Sequence, residues 1–165
     1  MINEIRLKKT VNDILRETFP TAHIYGQGDN EGFEYPAIFS EMAMTNQNDA
    51  TINIVEKNYK IGIQYVPSGD RSEEDDLTFY QTLRDALCCI DDRNRKRKMC
   101  IKVLDDDDNS DRYIKVRDLA YGYVGEAQDQ MIITFTLYFH DFKEYVAPEP
   151  LITDVDVDVE LKSRR

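Results

Sequence analysis

The sequence contains no run of about 20 apolar residues, so it offers no helix able to cross a membrane. Its opening, Met1-Ile2-Asn3-Glu4-Ile5-Arg6, lacks the apolar core of a secretory signal. Positive charge is in short supply: 21 Lys and Arg against 32 Asp and Glu leave a formal net charge of −11. That balance argues against a general nucleic-acid binder and against docking on an anionic membrane surface. Cysteine is scarce, with only Cys88, Cys89 and Cys100, and histidine is limited to His23 and His140. So thin a supply of ligands speaks against a zinc site. An odd number of cysteines, two of them adjacent, reads as small buried hydrophobes in a reducing compartment rather than as a disulfide framework. Catalytic signatures are missing as well: there is no GxSxG, no HExxH and no cysteine with a motif-placed histidine. His140 beside Asp141 offers a general base, but a solvent-facing histidine at a strand end is the ordinary case. The expectation is a soluble, acidic, cytoplasmic protein with no catalytic residue, metal or cofactor.

What is present is enough to fold. With 165 residues, of which 41% are hydrophobic, the chain can bury about 70% of its unfolded surface without covalent staples. Residues 2–19 place Ile2, Ile5, Val11, Ile14, Leu15 and Phe19 at helical spacing, and Pro20 ends the helix. Residues 22–27 read as a short extended segment, followed by a polar glycine-bearing loop that lacks the phosphate-binding pattern. Residues 36–46 and 58–66 read as strands joined by a polar turn at Asn46–Asp49, an antiparallel hairpin. In the second, Tyr59, Ile61, Ile63 and Tyr65 alternate with Lys60, Gly62 and Gln64, which implies one buried face. Ser72 caps a second helix whose first turn is acidic, with Leu77, Tyr80, Leu83, Leu87 and Ile90 as the expected buried face. Strands follow at Met99–Leu104, at 113–124 and at 130–140. In the last, Met131, Ile133, Phe135, Leu137 and Phe139 face one way and Thr134, Thr136, Tyr138 and His140 the other. The fold class so implied is α+β, with two main helices packed on a mostly antiparallel sheet.

Two segments stand apart. Arg93-Asn94-Arg95-Lys96-Arg97-Lys98 puts five bases in six residues, and Asp105–Asp108 with Asp111 lies just downstream. The basic run reads either as a nucleic-acid patch or as a solvated loop neutralised by the neighbouring acids. As an interaction surface, Arg93, Arg95, Lys96, Arg97 and Lys98 suit an acidic protein neighbour. The end of the chain is different in kind. Pro148-Glu149-Pro150 reads as a stiff, extended linker. Beyond it Val155, Val157, Val159 and Leu161 alternate with Asp154, Asp156, Asp158 and Glu160. The division expected is a body at 1–146 and an extended acidic arm at 147–165. The aspartate spacing is that of the start of a calcium loop, but the glycine and the closing acid of that loop are missing. The arm reads as a strand with no place in the body's own sheet. It is expected to add to an open sheet edge, of a neighbouring subunit in preference to its own chain or the sheath or tube protein, the alternative being a solvated acidic tail.

Three stretches carry a family resemblance. They are Met1-Ile2-Asn3-Glu4-Ile5 running to Phe19-Pro20 with His23-Ile24-Tyr25, then Gly32-Phe33-Glu34-Tyr35-Pro36-Ala37-Ile38-Phe39, then Tyr59-Lys60-Ile61-Gly62-Ile63-Gln64-Tyr65-Val66-Pro67 before the acidic helix. Together with the late aromatic strand Phe135–Phe142, they resemble phage tail terminator proteins from phages and phage-tail-like particles of Gram-positive bacteria. The resemblance covers about residues 1–142. The basic and acidic insertions at 93–111 and the C-terminal arm depart from it. It implies a structural virion protein assembled in the host cytoplasm, a homo-oligomer forming a hexameric ring at the head-proximal end of the tail. Its implied partners are the tail tube or sheath protein and a neck or head–tail connector protein, with no membrane and no specific nucleic acid. A head completion or neck joining protein is the alternative, and a small regulatory binding module the next.

Overall fold

A computed structural model describes residues 2–26, 32–70, 72–90, 97–104, 111–125 and 130–142. The chain opens with helix α1 (Glu4–Thr18), capped by the Asn3 side chain, which accepts from the Ile5 N–H at 2.9 Å. The short strand β1 (His23–Tyr25) follows, then the long strands β2 (Ala37–Thr51) and β3 (Ile54–Val66). Helix α2 (Glu73–Ala86) begins at Ser72, whose Oγ accepts from the Asp75 N–H at 3.1 Å. Strands β4 (Cys88–Ile90), β5 (Arg97–Leu104), β6 (Asp111–Val124) and β7 (Gln130–Phe142) complete the order.

All seven strands join one sheet in the order β1-β2-β3-β7-β6-β5-β4. Only β1 runs parallel to its neighbour; every other pairing is antiparallel. The sheet curls into a half-barrel, so the chain is mostly β and the expected α+β body of two main helices packed on a sheet is corrected. The reason lies in strand length. The pattern of apolar residues on β2 ends near Met44, but the ladder to β3 continues through Gln47↔Lys57 and Asn48↔Glu56 to Thr51↔Ile54. Backbone hydrogen bonds do not require apolar side chains, so the stretch expected to turn at Asn46–Asp49 is strand, and the reversal falls at Ile52-Asn53. At the other edge α2 stops at Ala86. Cys88–Ile90, expected as helix, pairs instead with Arg97–Met99 on β5, where long-range pairing overrides helical spacing.

The core lies on the inner face of the curl. Tyr59, Ile61 and Ile63 of β3 and Met131, Ile133, Phe135, Leu137 and Phe139 of β7 are all buried, as period two required. Leu7, Val11 and Leu15 of α1 and Phe79 and Leu83 of α2 pack into the same cluster. Phe79, rather than Leu77 or Tyr80, anchors α2: its ring stacks between Phe19 (4.3 Å) and Tyr65 (4.2 Å). Strand β6 carries a bulge between Arg117 and Ala120, where Asp118 adopts φ 53°. Among the described residues no helix is long and apolar enough to cross a membrane.

Candidate interaction surface

The outer face of the sheet has a chemistry unlike that of the acidic chain. Residues directly opposite in antiparallel ladders share a face, so register alone assembles this surface. Lys60 stands opposite Ala43 on one side and Thr136 on the other, and Thr136 stands opposite Arg117. Lys115 lies opposite Tyr138 and Cys100. The Arg117 guanidinium sits 3.6 Å from the centre of the Tyr138 ring, a cation–π contact that fixes its direction. Tyr138 Oη donates to Glu56 Oε2 at 3.1 Å, and His140 Nε2 stands 3.9 Å from that same carboxylate oxygen. Between the charged groups the face is low, with Ala43, Gly62, Ala120, Gly122 and Thr134 on neighbouring strands. A Cβ built on Gly62 or Gly122 meets nothing within 4 Å. The result is a low-relief, basic outer sheet surface in a chain of net charge −11. The sequence places Lys60, Thr136, Tyr138 and His140 on the polar faces of their strands but does not join them to Lys115 and Arg117, because they lie on separate strands and only the register brings them together.

The inner end of the sheet holds a second cluster of opposite character. Asp141, buried beneath the end of β7, accepts from Lys57 Nζ (3.2 Å), Arg112 Nη1 (3.0 Å), and the backbone N–H groups of Ile2 (3.1 Å) and Phe142 (3.2 Å). Burial alone would raise its pKa, but the hydrogen bonds and charges of Arg112 and Lys57 outweigh burial and hold it below the ordinary carboxylate value. Next to it, Tyr59 Oη donates to Glu4 Oε1 at 2.7 Å, and burial followed by that carboxylate raises the phenol pKa. These contacts tie the start of α1 to β3 and β7. His140 and Asp141, adjacent in sequence, point to opposite faces and cannot act as a pair.

The open positions of the sheet are its edges. β1 covers β2 only at Ala37–Phe39, and among the described residues no strand pairs with the outer side of β2 from Glu41 to Asn48. At the far side β4 pairs with β5 at Arg97–Met99 and the Cys100 N–H donates to the Leu87 carbonyl at 3.0 Å, so among the described residues no strand pairs with the outer side of β5 beyond Cys100. Exposed apolar side chains include Met44 on the open stretch of β2, Ile52 at the hairpin tip, and Phe142 at the end of β7.

Of the residues expected to make contacts, Arg97 and Lys98 lie on β5 in the hairpin with β4. Arg97 Nη1 is 3.9 Å from Asp85, on α2, and both Arg97 and Lys98 are exposed. Arg93, Arg95 and Lys96, like Val155, Val157, Val159, Leu161 and the acidic runs around them, lie outside the described residues. The cysteines are half-buried and unpaired with one another. Burial first, then a hydrogen bond and charge from Cys100, push the Cys89 thiol up to about 12, so the thiolate is disfavoured. Among the described residues no group of three or more His, Cys, Asp or Glu is placed to hold a metal ion. A surface depression of about 590 Å³ is lined by Tyr35, Tyr65, Val66, Pro67, Ser68, Gly69 and Gln130. That lining pairs no acid with a base and offers no activated nucleophile.

Comparison with curated proteins finds no match. A family model described as phage tail terminator protein matches residues 6–148, which spans both helices and all seven strands apart from the first two residues of α1. The chain therefore belongs to the phage tail terminator protein family, and is a structural component of a phage tail.

Proposed function

We propose that this protein forms a ring, usually of six copies, that caps the head-proximal end of the tail tube or sheath and joins it to the neck. The observation that carries this reading is the family match across the folded body, residues 6–148. The open edges at β2 and β5 support it, since an uncovered strand edge is a template for pairing with another chain. In this reading the neighbours are further copies of the chain, the tube or sheath protein below, and a neck or connector protein above. The role is mechanical, with no reaction and no cofactor, and assembly takes place in the host cytoplasm before the tail joins the head.

Size-exclusion chromatography with light scattering, followed by electron microscopy with and without purified tail tubes, tests the proposal. The expected result is a closed ring that binds one end of each tube. A strict monomer at every concentration, with or without tubes, would overturn it.

A further inference from the structure

We propose that residues 153–161 of one copy add as a strand to the open edge of β2, Glu41–Asn48, of a neighbouring copy. The proposal rests on the ring reading above and names the contact that holds neighbours together. Its first support is the match of faces. On that stretch of β2, Met42, Met44 and Gln47 stand opposite Ile61, Tyr59 and Lys57, all buried on the inner side. Glu41, Ala43, Asn46 and Asn48 occupy the outer side, opposite Gly62, Lys60, Asn58 and Glu56. A strand laid along this edge presents alternate residues to the same two sides. Val155, Val157, Val159 and Leu161 then cover Met44, which is 44% exposed, and Met42. Asp154, Asp156, Asp158 and Glu160 fall on the outer side, toward Lys60. Only Glu41 opposes them on the open stretch. The opposite placement would set four acids against the methionines, so the alternation selects one orientation of the faces.

The second support is the path of the chain. β7 runs in the same direction as β2, because each is antiparallel to β3 between them. Phe142, where β7 ends, pairs with Ile54, which pairs with Thr51 beside the hairpin turn. The chain therefore leaves the sheet heading past the tip of its own hairpin. To lie on its own β2 edge it would have to reverse over that tip, within a segment that contains Pro148-Glu149-Pro150. Proline favours extended backbone there, and residues 143–152, extended, reach about 30 Å. Such a linker is long enough to carry the arm past its own body to the edge of a neighbouring copy. The edge is also chemically receptive: Glu41–Asn48 carries no lysine and no proline, the residues that commonly guard exposed strands.

The test joins the two segments chemically in the full-length protein. Gln47→Cys and Val157→Cys are made in separate chains, mixed under assembly conditions, treated with a short flexible thiol crosslinker, and mapped by mass spectrometry. Peptides from Cys88, Cys89 and Cys100 are distinguished by their masses. The expected product is a 47–157 crosslink between two chains. Adding Met44→Asp to the edge chain should lower its yield roughly tenfold, because a charge against the valines cancels the gain from burying them. A 47–157 crosslink found only within single chains of a double variant would overturn the proposal, as would its absence. Light scattering on the same mixture separates the two readings. Rings without the crosslink overturn the arm placement alone, whereas crosslinked pairs that never close into rings overturn the ring and leave the arm contact standing.

Discussion

Replacing Asp141 with Asn tests whether the buried charge cluster holds the start of the chain to the sheet. The substitution keeps the shape of the side chain and removes its charge. Its two cationic partners differ in what they can do next. The Arg112 side chain is 26% exposed and reaches water, whereas that of Lys57 is 10% exposed and is left without a counter-charge. Removing one partner of a buried pair costs about 3–5 kcal/mol, and with Arg112 able to solvate the lower end, about 3 kcal/mol, is expected. With a urea dependence of about 2 kcal/mol/M for a domain of this size, the midpoint should fall by roughly 1.5 M with little change in slope. Lys57→Met added to Asp141→Asn should recover part of the loss, because the stranded ammonium is then gone. The pH dependence has a definite sign. A carboxyl held below the ordinary value of 3.8 adds stability that is full above that pH and is lost as pH falls through the lower folded-state value. Wild-type stability should therefore drop on acidification below about pH 4, and Asp141→Asn should show a shallower acid limb. A loss below about 1 kcal/mol at neutral pH, with an unchanged acid limb, would refute the reasoning, since it would equate this cluster with an exposed ion pair.

Phe135→Ala should cost about 3–5 kcal/mol in denaturant unfolding, because a ring only 1% exposed at the centre of β7 leaves a cavity; a change under about 1 kcal/mol would contradict its burial. Replacing Arg93, Arg95, Lys96, Arg97 and Lys98 with Ser should weaken assembly and flatten its salt dependence. Wild-type assembly, followed by light scattering, should weaken as salt rises, since exposed charges are screened over roughly 8 Å at physiological ionic strength; assembly indifferent to salt would contradict an electrostatic role for the run.

How much could be read in advance depended on what each segment buries. β7 was legible because one face is core and the other is not, so Ile133, Phe135, Leu137 and Phe139 alternate with Thr134, Thr136 and Tyr138. The far half of β2 was not, because Thr45 to Thr51 are exposed on both faces and carry no alternation to detect. The expected face of α2 holds at Leu83 and Leu87, which are buried, but in the first turns it is out of phase: Leu77 and Tyr80 suggested a stripe that the stacked Phe79 in fact occupies. Leu87 and Ile90 continued the helical spacing beyond the true end at Ala86, and only pairing with β5 reveals β4. The interaction surface was the least legible part. Lys60, Lys115 and Arg117 are unremarkable residues on two distant stretches of chain until β7 is threaded between β3 and β6. By contrast, the family likeness rested on local sequence in segments that need no register, and the family match spans them from residue 6 onward.

The bulge in β6 has a further consequence, one of counting. Before it, even-numbered residues point inward: Ile114 and Val116 are buried. After it the parity changes, and Tyr121 and Tyr123 stand opposite the buried Ile133 and Met131. The three steps from Arg117 to Ala120 match two on β7, so Asp118 and Leu119 together hold one residue more than the ladder needs. That surplus residue acts as a frame shift written into the backbone. It lets one strand show Lys115 and Arg117 outward in its first half and Ala120 and Gly122 outward in its second, while Tyr121 reaches Tyr80 on α2 with ring centres 4.8 Å apart. Were Asp118 deleted, the strand could still pair, but Ala120 and Gly122 would turn toward the core and both tyrosines would stand on the outer face. The length of this short stretch, more than the identity of any side chain in it, decides which residues in the second half of β6 face the interior.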